Sequence, residues 1–170
     1  MKMQRAGRMV KFKEIEKLVK DKSQDTVLVA VSKTKPIELI EEAYDDGARV
    51  FGENRVQELV AKFSENKKED MKIYLIGQLQ SNKVKKAVMY ADRIESVDSI
   101  ALLDKINTEA GKINKKMEIL LEVNSSNEEQ KSGFKTREEV LSAAEYAFTL
   151  DNIKLVGLMT VGPLGGDEEK

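Results

Sequence analysis

The 170-residue chain contains no cysteine and no histidine. Those absences remove disulfides, thiolate nucleophiles, imidazole bases and the usual zinc ligands, and leave polar chemistry to lysine, carboxylates, tyrosine, serine or a bound cofactor. An excess of charge is missing too. Lys+Arg number 29 against 30 Asp+Glu, a net charge of -1, so no global field draws the chain to nucleic acid or to a membrane surface. No apolar run is long enough to cross a bilayer, and residues 1–10 carry basic side chains without a continuous apolar stretch. The expectation is a soluble cytoplasmic protein. With 41% hydrophobic residues and no linker, repeat or low-complexity segment, residues 1–170 are expected to form a single domain around one core.

What is present is organised around Thr26-Val27-Leu28-Val29-Ala30-Val31-Ser32-Lys33-Thr34-Lys35-Pro36. Residues 27–31 are rich in β-branched side chains and too short for a helix, so they read as a strand buried on both faces. Pro36 suits the first turn of a helix and Glu38 favours its dipole, while Ile37, Leu39, Ile40 and Ala43 give an apolar stripe running up to Gly47. Lys33 falls in the loop between strand and helix. An amine at the carboxyl end of a parallel strand lies where α/β folds build their sites, and partial desolvation there favours the neutral, nucleophilic form. Position alone also fits a solvated loop lysine, the commoner state of that side chain.

The same strand-helix unit recurs along the chain. Phe12, Ile15, Leu18 and Val19 predict an amphipathic helix over about residues 9–21, ahead of the first strand. Residues 49–54 read as a second strand, followed by a helix carried by Val56, Leu59, Val60 and Phe63. A charged, solvated connection over 64–70 leads to a third strand at 72–77. The next helix shows an apolar face of Val84, Ala87, Val88 and Ala91, and Lys83, Lys85 and Lys86 fit either its wet face, the commoner state of such side chains, or an anion site. Residues 93–97 form a weak fourth strand. Asp98 or Ser99 can cap a helix built on Ile100, Leu103, Ile106 and Ala110. Residues 117–123 are the fifth strand, 124–133 a polar loop, and Thr136 with Glu139 a capping box for a helix packed through Val140, Ala144, Ala147 and Phe148. The sixth strand spans 153–161.

Strands alternating with helices at roughly 20 to 35 residues argue for right-handed βαβ units and a parallel sheet. Two α/β architectures fit: a doubly wound sheet, or part of a (β/α)₈ barrel of the TIM type, since a whole barrel needs roughly 200 residues or more.

Five motifs occur in a fixed order: Ala30-Val31-Ser32-Lys33-Thr34-Lys35-Pro36, Phe51-Gly52-Glu53-Asn54, Ile76-Gly77 with Leu79-Gln80-Ser81-Asn82-Lys83, Lys131-Ser132-Gly133, and Gly157-Leu158-Met159. In that order, each at a strand end or in the loop beyond it, they resemble the pyridoxal-phosphate homeostasis proteins of the YggS/PROSC family. The resemblance covers nearly the whole chain. It implies an alanine-racemase-like parallel barrel, here truncated after about six strands, that binds pyridoxal 5'-phosphate. It further implies that Lys33 is the Schiff-base lysine and that Asn54, Gly77 and Met159 lie near the cofactor. Read without the resemblance, Asn54 closes a turn, Met159 fills core space and Gly77 is a backbone kink.

Two departures qualify what is carried over. Ile73-Tyr74 stands where the family usually has Trp-His, so an imidazole is missing from the third strand. The family's later Gly-Met-Ser-type loop and Arg-x-Gly segment, which hold the phosphate, have no counterpart in these residues. Weak cofactor binding is therefore expected, as is self-association through open sheet edges. The leading function is non-catalytic carriage or homeostasis of the cofactor. The alternatives are a pyridoxal-dependent racemase or decarboxylase, a cofactor-free lyase pairing Lys33 with a carboxylate such as Glu53, and a truncated form that folds without binding.

Overall fold

The computed structural model describes residues 11–125 and 132–162. Six strands, β1 (Ala30–Val31), β2 (Val50–Glu53), β3 (Lys72–Leu75), β4 (Arg93–Val97), β5 (Met117–Glu122) and β6 (Ile153–Met159), form one sheet. They lie in the order β1-β2-β3-β4-β5-β6, every neighbouring pair parallel. Strand order never reverses, which excludes the doubly wound arrangement and leaves the singly wound, barrel-type one. The sheet is not closed, because β1 and β6 are not paired with each other.

Each crossover carries a helix: α2 (Ile37–Asp45), α3 (Val56–Phe63), α4 (Val84–Tyr90), α5 (Ile100–Gly111) and α6 (Arg137–Phe148), with α1 (Phe12–Lys22) ahead of β1. Right-handed crossovers in consecutive order place these helices on one face of the sheet. The core lies between the layers. Leu59 and Phe63 of α3, Val84 and Val88 of α4, and Leu103 and Ile106 of α5 meet Phe51, Ile73, Leu75, Ile94, Ile119 and Leu121 of the strands, all buried. Burying each such side chain stabilises the fold by about 2 kcal/mol, and the central strands hold most of them.

The outer elements depart from expectation for one reason. Residues 27–31 do not form a strand buried on both faces: only Ala30 and Val31 pair, with Val27 60% and Val31 49% exposed. β1 has a ladder partner on one side alone, and Leu28 and Val29 are half-buried without joining the ladder. α1 begins at Phe12 and buries no residue, and the start expected at residue 9 falls outside the described residues. At the other edge Phe148, expected to pack, is 75% exposed, while α6 docks through the expected Ala147, Val140 and Ala144 together with the buried Ala143. Near the β1 edge, Phe12, Ile15, Leu28, Val29 and Leu39 line an open, largely apolar groove of about 750 Å³.

Local signals fare well in the middle of the chain. Lys85 and Lys86 are exposed, as a wet face requires, while Lys83 is half-buried. The N-cap position of α5 is Ser99, but its hydroxyl, which donates to Asp98 Oδ1 at 3.1 Å, accepts no helix N–H, so the expected side-chain cap is not formed among the described residues. The capping box of α6 is formed: Glu139 N donates to Thr136 Oγ1 at 3.1 Å and Thr136 N to Glu139 Oε2 at 3.3 Å. Removing it by Thr136→Ala is expected to lower unfolding free energy by about 1 kcal/mol in urea denaturation, whereas Thr136→Ser should change it little.

Candidate functional site at the carboxyl rim of the sheet

In a parallel sheet all strands end on the same side, so the segments that follow them share one rim. Strand alternation decides which side chains face away from the helices. On β2, Phe51 packs towards Phe63 of α3, with ring centroids 6.1 Å apart, and Glu53 reaches Lys62 of the same helix. Gly52 and Asn54 therefore face the open, concave side. By the ladder Val31 lies beside Gly52, which puts Val31 and Lys33 on that side as well.

β6 reaches the same result through an irregularity. Ile153 and Leu155 pair with Met117 and Ile119 of the core, but the register shifts, and Gly157 then pairs with Leu120 and Met159 with Glu122. One extra residue at Val156 flips the alternation. Without the bulge Met159 would face the helices. With it, Met159 joins the concave side, and Leu158 turns to the α6 side beside Val140 and Leu141.

All four expected site residues thus sit at the rim, each at or just beyond the end of a different strand. Asn54 and Gly77 are in contact through backbone. A Cβ on Gly77 would collide with the Asn54 carbonyl oxygen and come within 2.7 Å of its Cα, so glycine lets the ends of β2 and β3 approach each other. Gly77 O also accepts from Ser96 Oγ of β4 at 2.6 Å. Lys33 is exposed in the turn after β1, so the partial desolvation expected of it is not supplied here. Met159 ends the opposite outer strand. Of the motif Lys131-Ser132-Gly133, Lys131 lies outside the described residues. Ser132 Oγ donates to Glu122 Oε1 at 3.1 Å, and Gly133, at φ +108°, folds the loop back so that Phe134 N reaches Glu122 O at 2.8 Å. Burial pushes the Glu122 carboxyl above its ordinary range, against the Ser132 hydrogen bond.

Tyr74, in place of the family's imidazole, starts a row across the concave face. Ladder partners Tyr74, Arg93, Glu118 and Lys154 lie side by side on β3 to β6. The Arg93 guanidinium stacks 4.4 Å from the Tyr74 ring centroid and donates to Glu118 Oε2 at 2.9 Å, while Lys154 Nζ donates to Glu118 Oε1 at 2.8 Å. Burial raises the Tyr74 phenol above its ordinary value despite Arg93, so at neutral pH it stays protonated and does not replace an imidazole base.

A second cluster, not foreseen from sequence, lies beneath Lys33. Lys62 Nζ donates to Ser32 O at 2.7 Å, Glu53 Oε1 at 2.8 Å and Glu58 Oε2 at 3.0 Å. Ser32 Oγ donates to Glu53 Oε1 and Thr34 N to Glu58 Oε2, each at 2.7 Å. Glu53 is 0% exposed, and its Oε2 has no hydrogen-bond partner among the described residues. A carboxylate so engaged on the helix side is not placed to shuttle protons for Lys33, which removes support for a lyase using that pair. Glu58 and Lys62 are spaced as i and i+4 on α3, a pattern readable in sequence, but their partners on β1 and β2 are not.

A singly wound parallel α/β sheet of barrel type, with an exposed lysine at its carboxyl rim, defines the class. A model of the alanine racemase N-terminal domain family matches residues 11–170, and the chain belongs to that family. It is 42% identical over 136 residues to a pyridoxal phosphate homeostasis protein of Aquifex aeolicus, covering 80% of this chain and 59% of the relative. It is 39% identical over 148 residues to the human protein of the same name, covering 82% and 54%. The chain thus spans between half and two thirds of the length of these relatives. Among solved structures it resembles PipY of Synechococcus elongatus with PLP bound, at a TM-score of 0.75 and 37% identity, covering 88% of this chain and 71% of that one.

The rim cluster sets a pH dependence. Glu58 lies below its ordinary 4.5, first because Thr34 N–H donates to it and then because Lys62 does. Burial pulls the Lys62 ammonium down, but its bonds to Glu53 and Glu58 outweigh burial and hold it above 10.5. The Glu58 contribution to stability is therefore present above its unfolded value and fades as pH falls through the lower folded one. The Lys62 contribution is present below its unfolded value and fades as pH rises through the higher folded one. In urea denaturation across pH, Glu58→Ala should weaken the acid-side loss relative to the parent chain. At pH 7, Lys62→Met should cost about 3 kcal/mol, since it strands the buried Glu53 charge.

Proposed function

We propose that this chain binds pyridoxal 5'-phosphate through a Schiff base on Lys33 and serves in cofactor homeostasis or carriage, without a reaction of its own. The observation that carries the reading is the position of Lys33, an exposed amine in the turn after β1, on the rim that Asn54, Gly77 and Met159 share. The relatives' name, and the PipY structure with PLP bound, supply the chemistry such an amine would meet. The residues fit that group: when bound, it offers an aldehyde carbon to a primary amine, and Lys33 is an exposed primary amine at the rim. Asn54 would hold a polar edge of the ring, Met159 would give an apolar contact, and Gly77 would keep the Asn54 backbone in place. The proposal treats the chain as one domain acting in the cytoplasm, with no nucleic-acid or membrane partner. A net charge of -1 supports the absence of nucleic acid, and no helix among the described residues is long and apolar enough to cross a membrane.

The test is to titrate pyridoxal 5'-phosphate into the parent chain and Lys33→Ala, reduce with borohydride and map the adduct. The parent should carry it on Lys33 and the variant should lose it. Label on Lys35 or Lys131 with Lys33 unmodified would overturn the assignment.

The open edges favour one further property, self-association. β1 and β6 each leave one side unpaired, beside Val31 and the 58%-exposed Leu158. Light scattering over a concentration series should show growth beyond the monomer. A strictly monomeric species, with the amides of Val31 and Leu158 strongly protected from exchange, would refute it.

A further inference from the structure

We infer that Glu58 and Lys62 of α3 are positioning residues for Lys33: they hold the turn that presents its amine and thereby select it over Lys35, two residues on. The inference rests on the reading of Lys33 as the cofactor lysine, which it deepens.

Lys33 itself makes no hydrogen bond or ion pair with the described residues, yet the backbone on both sides of it is gripped. Before it, Ser32 O accepts from Lys62 Nζ at 2.7 Å. After it, Thr34 N donates to Glu58 Oε2 at 2.7 Å. Both grips come from one helix, one turn apart, and each ends in a charged group, which makes them stronger than neutral hydrogen bonds. The ladder bond from Ser32 N to Gly52 O and the turn bond from Lys35 N to Ser32 O, each 3.0 Å, complete the frame.

The grip on Thr34 has something to hold. Thr34 sits at φ +59°, a left-handed conformation that a β-branched residue adopts only at a cost, and such conformations persist where surrounding contacts impose them. The Glu58 carboxylate is the contact at that residue's N–H. Released, the turn would relax towards commoner backbone angles and swing the 33–35 segment, moving both lysines.

The arrangement is also anchored below. All three Lys62 ammonium protons are used, on Ser32 O, Glu53 and Glu58, and Glu53 in turn holds Ser32 Oγ from the buried end of β2. An ammonium saturated in this way is not a competing nucleophile. β1, an edge strand of two paired residues, is too short to fix the loop beyond it, so side chains from α3 do what the ladder does elsewhere. A rigid mount of this kind speeds reaction at one amine by orienting it, at no cost to the amine's own freedom to react.

The test uses the full chain with Glu58→Ala, which deletes the Thr34 grip at a partly exposed site, and Glu58→Gln, which keeps an acceptor oxygen. Two quantities are read: hydrogen exchange at the Thr34 and Lys35 amides, and the ratio of Lys33 to Lys35 adduct after brief exposure to pyridoxal 5'-phosphate and borohydride. In Glu58→Ala, exchange at Thr34 should rise and the ratio should fall, each about tenfold, the loss of roughly one charge-assisted hydrogen bond. Amides of β3 to β5 should not change, and Glu58→Gln should restore most of the ratio. Unchanged Thr34 exchange in Glu58→Ala, or an unchanged Lys33:Lys35 ratio despite faster exchange, overturns the inference. So does equal loss in Glu58→Gln, or exchange raised throughout the sheet. Failure of the parent chain to label Lys33 at all would instead refute the cofactor reading, with the exchange data still deciding whether Glu58 holds the turn.

Discussion

The constraint on which the rest of the molecule depends is the unbroken parallel order of the six strands. Consecutive right-handed crossovers send every helix to one face and every strand end to one rim, leaving the other face concave and open. The buried core is then a consequence of layer packing between α3 to α5 and β2 to β5, while the rim and the concave face are free to carry polar groups. The two outer strands share the geometry but not the coverage. Their exposed apolar side chains, Val31 and Leu158, mark where the sheet ends rather than where the packing is poor.

Polar groups inside this frame are arranged as two connected systems. On the concave face, the row from Tyr74 through Arg93 and Glu118 to Lys154 links four strands and satisfies charges that would otherwise stand alone beside an apolar sheet. On the helix side of the rim, Lys62 neutralises the buried Glu53 and ties β1, β2 and α3 together. The second is the costlier arrangement, because Glu53 is wholly buried with one oxygen unpaired among the described residues. An apolar pair of equal volume would serve stability as well or better. What it would not supply is the directional hold on Ser32 O and Thr34 N, and that difference gives the ion cluster a reason to exist at this spot.

Three irregularities lie beside the candidate site residues. The bulge at Val156 re-aims Met159, the left-handed Thr34 sits beside Lys33, and the missing Cβ of Gly77 admits the Asn54 backbone. Regular alternation and ordinary backbone angles would have put these groups elsewhere. Among the central strands β5 keeps a strict alternation, while β4 has a register shift of its own between Ile94 and Val97.

The sequence by itself determined the number, type and order of the described elements, the barrel-type family, and the lysine at the end of the first strand. Hydrophobic period and turn chemistry are local, and Thr136 with Glu139 forms its box from four consecutive residues. Motif order singles out Lys33, Asn54, Gly77 and Met159 as candidates. Tertiary structure alone decided that residues 27–29 lie outside the ladder, that Phe148 is exposed, and that Met159 faces the concave side. It also decided that Glu53 serves Lys62 rather than Lys33. Each of these turns on what stands next to a residue from a distant part of the chain. A period of two or of 3.6 tells which residues share a face, but not whether that face has a neighbour to cover it.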